Sequence, residues 1–203
     1  MLLMDVDAYL ASASPRRHEL LAQLGVRFAV RIADVPEIVQ NGESPEQFVQ
    51  RLALEKASKV WLSLSAEQRR PVVGADTAVV IDEHILGKPV SREHALEMLA
   101  LLSGRTHQVL TGVAVVSQQH SVCVNVSAVR FRVLDKTEIQ TYWQTGEPVD
   151  KAGAYAIQGF AAAFIEHLSG SYSGVMGLPL YETSNLLKQH GVPIWQAATV
   201  NYE

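Results

Sequence analysis

The stretch "VVGADTAVVIDEHILGKP", residues 72–89, decides how this chain is read. Its apolar, β-branched residues read as a strand pair or as one long strand, interrupted by Gly74-Ala75-Asp76-Thr77. Asp76 is the anomaly. A lone carboxylate in apolar surroundings is expensive, so it is paired, linked to a metal or functional. The alternative is a turn, in which Gly-Ala-Asp-Thr simply bends the chain. Lys88 follows directly, after a strand and before Pro89. Taken singly it reads as a surface lysine.

Upstream lies "SPEQFVQRLALEKASKVWLSL", the clearest helix of the chain. Ser44 and Gln47 form a capping-box pattern, with Pro45 in the first turn. Phe48, Leu52, Ala53 and Ala57 share one side, and Lys56 stands at the edge of that buried face. Further upstream, "YLASASPRRHELLAQLG" (residues 9–25) begins as a strand over 8–12. Ser14 reads as an N-cap, Pro15 as the first helical residue, and Gly25 as the stop. Arg16 and Arg17 then occupy the positive end of a helix, where cations work against stability unless an anion is meant to bind there. "VRFAVRIA" alternates as a strand, followed by a polar loop that contains Asp34, Glu37 and Gly42.

Downstream, "SREHALEMLALLSG" reads as a helix. "THQVLTGVAVVS" and "SVCVNVSAVRFRV" read as adjacent strands joined at "QQHS". "DKTEIQTYWQTG" is a helix with an Asp135/Glu138 capping pair. "AGAYAIQGFAAAFIEHLSGS" reads as strand-like, and "LPLYETSNLLKQHG" as a last helix. Strands and helices mix without strict alternation. The fold class is therefore α/β or α+β around a central, mostly antiparallel sheet.

The totals bound the function. The 203 residues carry a formal charge of −4, against the basic face that bulk nucleic-acid binding wants. A local basic pocket for a small anion remains open. The single cysteine, Cys123, permits no intrachain disulfide and reads as a small buried hydrophobe. No signal peptide and no membrane span are expected, since no run approaches roughly 18 apolar residues. The expected location is the cytoplasm. No P-loop, G-x-G-x-x-G, H-E-x-x-H, paired C-x-x-C or G-x-S-x-G motif is present. Of the seven histidines, His107 is the one to watch, as a structural or a catalytic group.

Three segments concentrate the chemistry. "SASPRR" offers hydroxyls, backbone N–H groups and two guanidiniums, whose forks suit phosphate oxygens. The alternative is that both arginines are solvated or paired with acids such as Glu19. "GADT" offers a carboxylate and "LGKP" a lysine. Together they form the inventory for hydrolysing a phosphate ester or anhydride: cations and a metal to neutralise charge, and a carboxylate to hold the metal or accept the water's proton.

"LASASPRRHELLAQLG" and "GADTAVVIDEHILGKP", with "RLALEKA", "LSGRTHQVLTGVAV", "DKAGAYAIQG" and "GSYSGVMGLPL", resemble the Maf family of nucleoside triphosphate pyrophosphatases. Six co-linear motifs cover about residues 8–190. The resemblance implies cleavage of the α–β phosphoanhydride, a divalent metal (Mg²⁺ or Mn²⁺), one Maf-like domain over residues 1–203 with an ITPase-like fold and a deep groove between two lobes, and a homodimer. It implies that Asp76 is the general base and that Ser12, Arg17, Lys56 and Lys88 bind phosphate. It places Glu37, with Asp76, at the metal. One branch of the family acts on dTTP and UTP, and can also clear non-standard pyrimidine nucleotides. This sequence resembles that branch at Arg16, Thr77 and Gln158. The 7-methyl-GTP branch carries Trp, Gln and Glu there. A neutral Gln offers a donor and an acceptor to a pyrimidine edge. The other readings are a 7-methyl-GTP pyrophosphatase and a regulator of septum formation that acts by binding a division partner.

Overall fold

Residues 72–81 form one unbroken strand in the computed structural model, which describes residues 6–196. The interruption expected at Gly74–Thr77 does not occur, and neither does the turn. This strand, β3 (Val72–Ile81), pairs antiparallel with β5 (Thr106–Val116) continuously, from Val72 opposite Val116 to Val80 opposite Gln108. Side chains alternate between the two faces of a strand. Val72, Ala78 and Val80 point toward the helix α2 (Pro45–Ser63), where they meet Phe48, Leu52 and Ala57. Val73 and Ala75 point the other way, into a core with Leu20, Leu21, Leu186 and Leu187. Asp76 therefore faces α2, and Thr77 faces the opposite layer.

The other strands are β1 (Ala8–Leu10), β2 (Phe28–Val30), β4 (His84–Leu86), β6 (His120–Phe131) and β7 (Ile165–Ser169). The sheet order is β2-β1-β3-β5-β6-β7, with β4 paired to β3. β1 runs parallel to β2 and β3, and the remaining pairings are antiparallel. The fold is mixed α/β with a mostly antiparallel sheet. Besides α2, the helices are α1 (Pro15–Gln23), α3 (Arg92–Leu102), α4 (Lys136–Gln144), α5 (Tyr172–Met176) and α6 (Leu180–Gln189). Both capping boxes form as expected, Ser44 with Gln47 and Asp135 with Glu138.

One edge of β3 is shared by two short strands. β1 covers it at Val72 and Val73, and β4 covers it from Val79 to Ile81. Between them, Gly74–Ala78 has no strand partner on that side. This gap lies beyond the carboxyl end of β1, where open α/β sheets take their ligands.

Two expectations are corrected, and a third holds in position only. "AGAYAIQGFAAAFIEHLSGS" is extended only over Ile165–Ser169. The rest contains 3-10 turns at Ala152–Ala154 and Phe160–Phe164. Gly153 and Ala154 adopt φ of 67° and 60°, which breaks an extended run. The Phe160 and Ala161 N–H groups donate to the Glu147 carboxylate instead of to a ladder. Ser14 occupies the N-cap of α1, but its hydroxyl makes no capping bond, and its own N–H donates to Ser12 Oγ. Lys56 stands not at the edge of the buried face but inside it, at 7% exposure. The N-terminal "MLLMDVDA" runs ahead of the first motif, which as sequence suggests disorder or packing at the sheet edge; its residues 1–5 lie outside the described residues.

Candidate functional site

A cleft of about 590 Å³ opens over the gap in β3. Its walls come from the β1–α1 loop, the start of α1, residues 32–37, Lys56, β3, Lys88, residues 150–158 and residues 175–177. Every site residue expected from the sequence lines it: Ser12, Arg16, Arg17, Glu37, Lys56, Asp76, Thr77, Lys88 and Gln158. Five cations and three carboxylates face this one space, an excess of positive charge in a chain whose formal charge is −4.

The α2 side of the cleft is a chain of ion pairs. Lys56 Nζ lies 2.6 Å from Asp76 Oδ1 and 2.6 Å from Glu37 Oε1. Lys88 Nζ lies 3.0 Å from Glu37 Oε2. Lys56 reaches Asp76 because α2 crosses the sheet at very close range. A Cβ added at Gly74 would stand 2.2 Å from the Ala53 carbonyl oxygen, and one at Gly112 2.3 Å from that of Val49. Those glycines are what admit the helix. Asp76 is 6% exposed. Burial pushes its pKa above the usual carboxylate value, against the pull of Lys56 and Arg17. Burial works in the same sense on Glu37, but hydrogen bonds and charge from Lys56 and then Lys88 outweigh it, and Glu37 comes down to about 2. Asp76 Oδ2 makes no hydrogen bond among the described residues, which leaves one carboxylate oxygen for water.

The other side is built around Arg17. Its Nε donates to the Gly177 carbonyl at 2.8 Å, and Nη2 donates to Thr77 Oγ1 at 3.1 Å. Nη1 reaches Ser12 Oγ at 3.4 Å. Arg17 is therefore neither solvated nor paired with Glu19. The first turn of α1 holds no acidic residue, so its N-terminal charge also faces the cleft.

Arg16 lines the cleft half-buried and has no salt-bridge partner among the described residues. Gln158 is exposed at the rim. Sequence reasoning missed Lys151, a further cation of the wall, although "DKAGAYAIQG" contains it. Burial, and then the charge of Arg16, pull its pKa down. It also missed Thr111, which touches Thr77; only the strand register brings the two together. His107 lies outside the cleft lining. Its Nε2 meets the Tyr155 hydroxyl at 2.8 Å, and burial holds its pKa at about 4. Cys123 is partly buried on β6, and burial, with Glu182 nearby, pushes its thiol up to about 11, away from reactivity.

No group of three or more His, Cys, Asp or Glu able to hold a metal occurs among the described residues. Glu37 and Asp76, the expected pair, are bridged by the Lys56 ammonium. Magnesium commonly binds one or two carboxylates together with substrate phosphates, and dispenses with an all-protein cage. A buried carboxylate with one open oxygen fits a cation that arrives on a polyphosphate.

Fold and site together define a class: a mixed α/β protein with a gap in its sheet, walled by cations and carboxylates, whose excess of positive charge suits a small polyanion. Residues 7–190 match the family model described as "Maf-like protein", and the chain belongs to that family. It is 58% identical over 184 residues to a dTTP/UTP pyrophosphatase of Alkalilimnicola ehrlichii, covering 89% of this chain and 91% of the relative. Proteins of the same name from Saccharophagus degradans and Xanthomonas campestris are 51% and 54% identical. They cover 95% and 90% of this chain, and 92% and 98% of their own. A solved nucleoside-triphosphatase (dITP/XTP pyrophosphatase) from Mycobacterium abscessus overlaps loosely, at a TM-score of 0.41 and 16% identity, over 61% of this chain and 73% of its own. No helix among the described residues is long and apolar enough to cross a membrane.

Proposed function

We propose that this chain hydrolyses dTTP and UTP to the nucleoside monophosphate and pyrophosphate within the cleft. The observation that carries the reading is the juxtaposition of Asp76, half held by Lys56 and half open, with a wall of cations. The names of relatives at 51–58% identity support the substrate class.

Lys56, Lys88 and Arg17 receive the phosphate oxygens, with Ser12 contributing its hydroxyl. Glu37 now occupies both lysines, so an incoming phosphate takes over contacts that the carboxylate makes in its absence. Asp76 Oδ2 orients the attacking water and accepts its proton as the oxygen attacks phosphorus and the phosphoanhydride bond breaks. Asp76 and Glu37 would hold a divalent cation arriving with the phosphates, which would supply further charge neutralisation. Arg16 and Gln158, on separate walls, select the base. Thr77 contributes indirectly, since its hydroxyl is engaged with Arg17 and Thr111. dTTP and UTP differ at the base by one methyl, which discriminates by roughly 1–3 kcal/mol, so both are accepted.

The test is pyrophosphate release from the eight common nucleoside triphosphates and 7-methyl-GTP, with Mg²⁺ or Mn²⁺ and with EDTA. Metal-dependent release from dTTP and UTP is expected. Release from 7-methyl-GTP alone would overturn the assignment of Arg16, Thr77 and Gln158. Absence of release from all would leave the binding of a division partner as the better reading.

A further inference from the structure

Thr111 lies at the centre of β5, fully buried, directly opposite Thr77 in the antiparallel register. Its Oγ1 stands 2.8 Å from the Gly174 carbonyl oxygen and 2.9 Å from Thr77 Oγ1. Proton accounting gives this contact a direction. A carbonyl oxygen only accepts, so Thr111 donates its one hydroxyl proton to Gly174. Thr77 must then donate across the 2.9 Å contact. With its proton committed, Thr77 Oγ1 accepts from Arg17 Nη2, and a guanidinium only donates. Each proton of this relay has one place to go, and the order is Arg17, Thr77, Thr111, Gly174.

The relay closes on itself through a short segment. Thr111 grips the Gly174 carbonyl, while Arg17 Nε grips that of Gly177. Gly177 has a φ of 118°, and an added Cβ there would stand 3.3 Å from Arg17 Nε and 3.4 Å from Thr77 Oγ1. Arg17 is thus pinned at Nε by one end of the segment. At Nη2 it is pinned by a hydroxyl whose orientation the other end sets. Without Thr111, the Thr77 hydroxyl rotates freely and the Gly174 carbonyl keeps only the Gly177 N–H of its two donors.

We propose that Thr111 is a positioning residue of the polyanion site: acting through Thr77, it fixes the direction of the Arg17 guanidinium and thereby how tightly the cleft holds a triphosphate. This assignment rests on the proposed function only for its turnover readout. Thr77 accordingly shapes substrate use by orienting Arg17, with no proton left to offer a base.

The experiment compares the wild type with Thr111→Val, which keeps the shape and removes the hydroxyl, and Thr111→Ser, which restores the hydroxyl. KM and kcat are measured for dTTP and UTP, and the Kd of inorganic tripolyphosphate is measured by calorimetry. Thr111→Val is expected to raise KM and Kd about fivefold to tenfold, the loss of roughly one oriented hydrogen bond, with kcat per folded protein little changed. Thr111→Ser should return both to near the wild-type values. A merely structural role lowers turnover in proportion to the folded fraction and leaves KM and Kd unmoved; that result overturns the proposal. So does a wild type that does not bind tripolyphosphate. A wild type that binds tripolyphosphate but turns over neither nucleotide refutes the proposed function, and the Kd comparison still decides Thr111. Should Thr111→Val not fold, Thr111→Ala serves as the hydroxyl-free variant under the same criteria.

Discussion

Asp76 is the residue on which the chemistry turns. A carboxylate inside an apolar strand is costly, and it persists here because Lys56 neutralises half of it while the other oxygen faces the cleft. Asp76→Asn keeps the shape and removes the base, so kcat for dTTP should fall about 10²-fold or more with the melting temperature little changed. Near-normal turnover in a folded variant would remove the assignment. The sequence made Asp76 and the two arginines legible because each violates a local rule: an acid among apolar residues, cations at a helix N-terminus. Lys88, a surface lysine taken singly, was legible only through the motif that contains it. Lys151 and Thr111 violate none, and only the assembled cleft shows them.

Among the elements, α2 is the one that builds the site. Its own signals are complete in the sequence, from the capping box to the apolar face. What the sequence leaves open is how near it comes to the sheet. Gly74 and Gly112 decide that, since their missing side chains let the backbone of α2 lie directly on β3 and β5. The same glycine made "GADT" look like an interruption of the strand. A Cβ at Gly74 collides with the Ala53 carbonyl oxygen, which cannot swing aside as a flexible side chain would. Gly74→Ala should cost about 3 kcal/mol, at the upper end of overpacking effects. It should also move Lys56 off Asp76. Urea unfolding reads the first and kcat the second; a variant as stable and as active as the wild type would contradict the account.

At the scale of the whole molecule, the core beyond β4 packs edge-to-face aromatic rings around His107. Phe131 lies 5.0 Å and Tyr155 5.4 Å from it, centroid to centroid. No acid compensates its burial, so its pKa falls to about 4 from the usual 6.5. Between those values the unfolded chain binds the proton and the folded chain does not, so stability rises with pH. The contribution is fully present above pH 6.5 and is lost as the pH falls toward 4. From this group alone, the protein should be about 2 kcal/mol less stable at pH 5 than at pH 7.5. Denaturant midpoints across that range test it. His107→Gln should remove that part of the slope, and an unchanged slope would show that His107 is not its source.

The sequence by itself determined the mixed fold class, the two capped helices, the paired long strands and a set of cationic and acidic residues in fixed order. These follow from periodicity, cap chemistry and residues that are costly out of place, all of them local properties. Only the tertiary structure decided that "GADT" is continuous strand, that residues 152–164 are not strand, and that Lys56 is buried against Asp76. It also decided that Thr77 holds Arg17 in place. Each of these depends on which backbone lies across which. Asp76 and Thr77 are adjacent in the chain yet face opposite layers. They serve one cleft because β1 ends before it, and β4 begins after it, along the same edge of β3. That gap is a property of strand pairing between distant segments, and no local pattern encodes it.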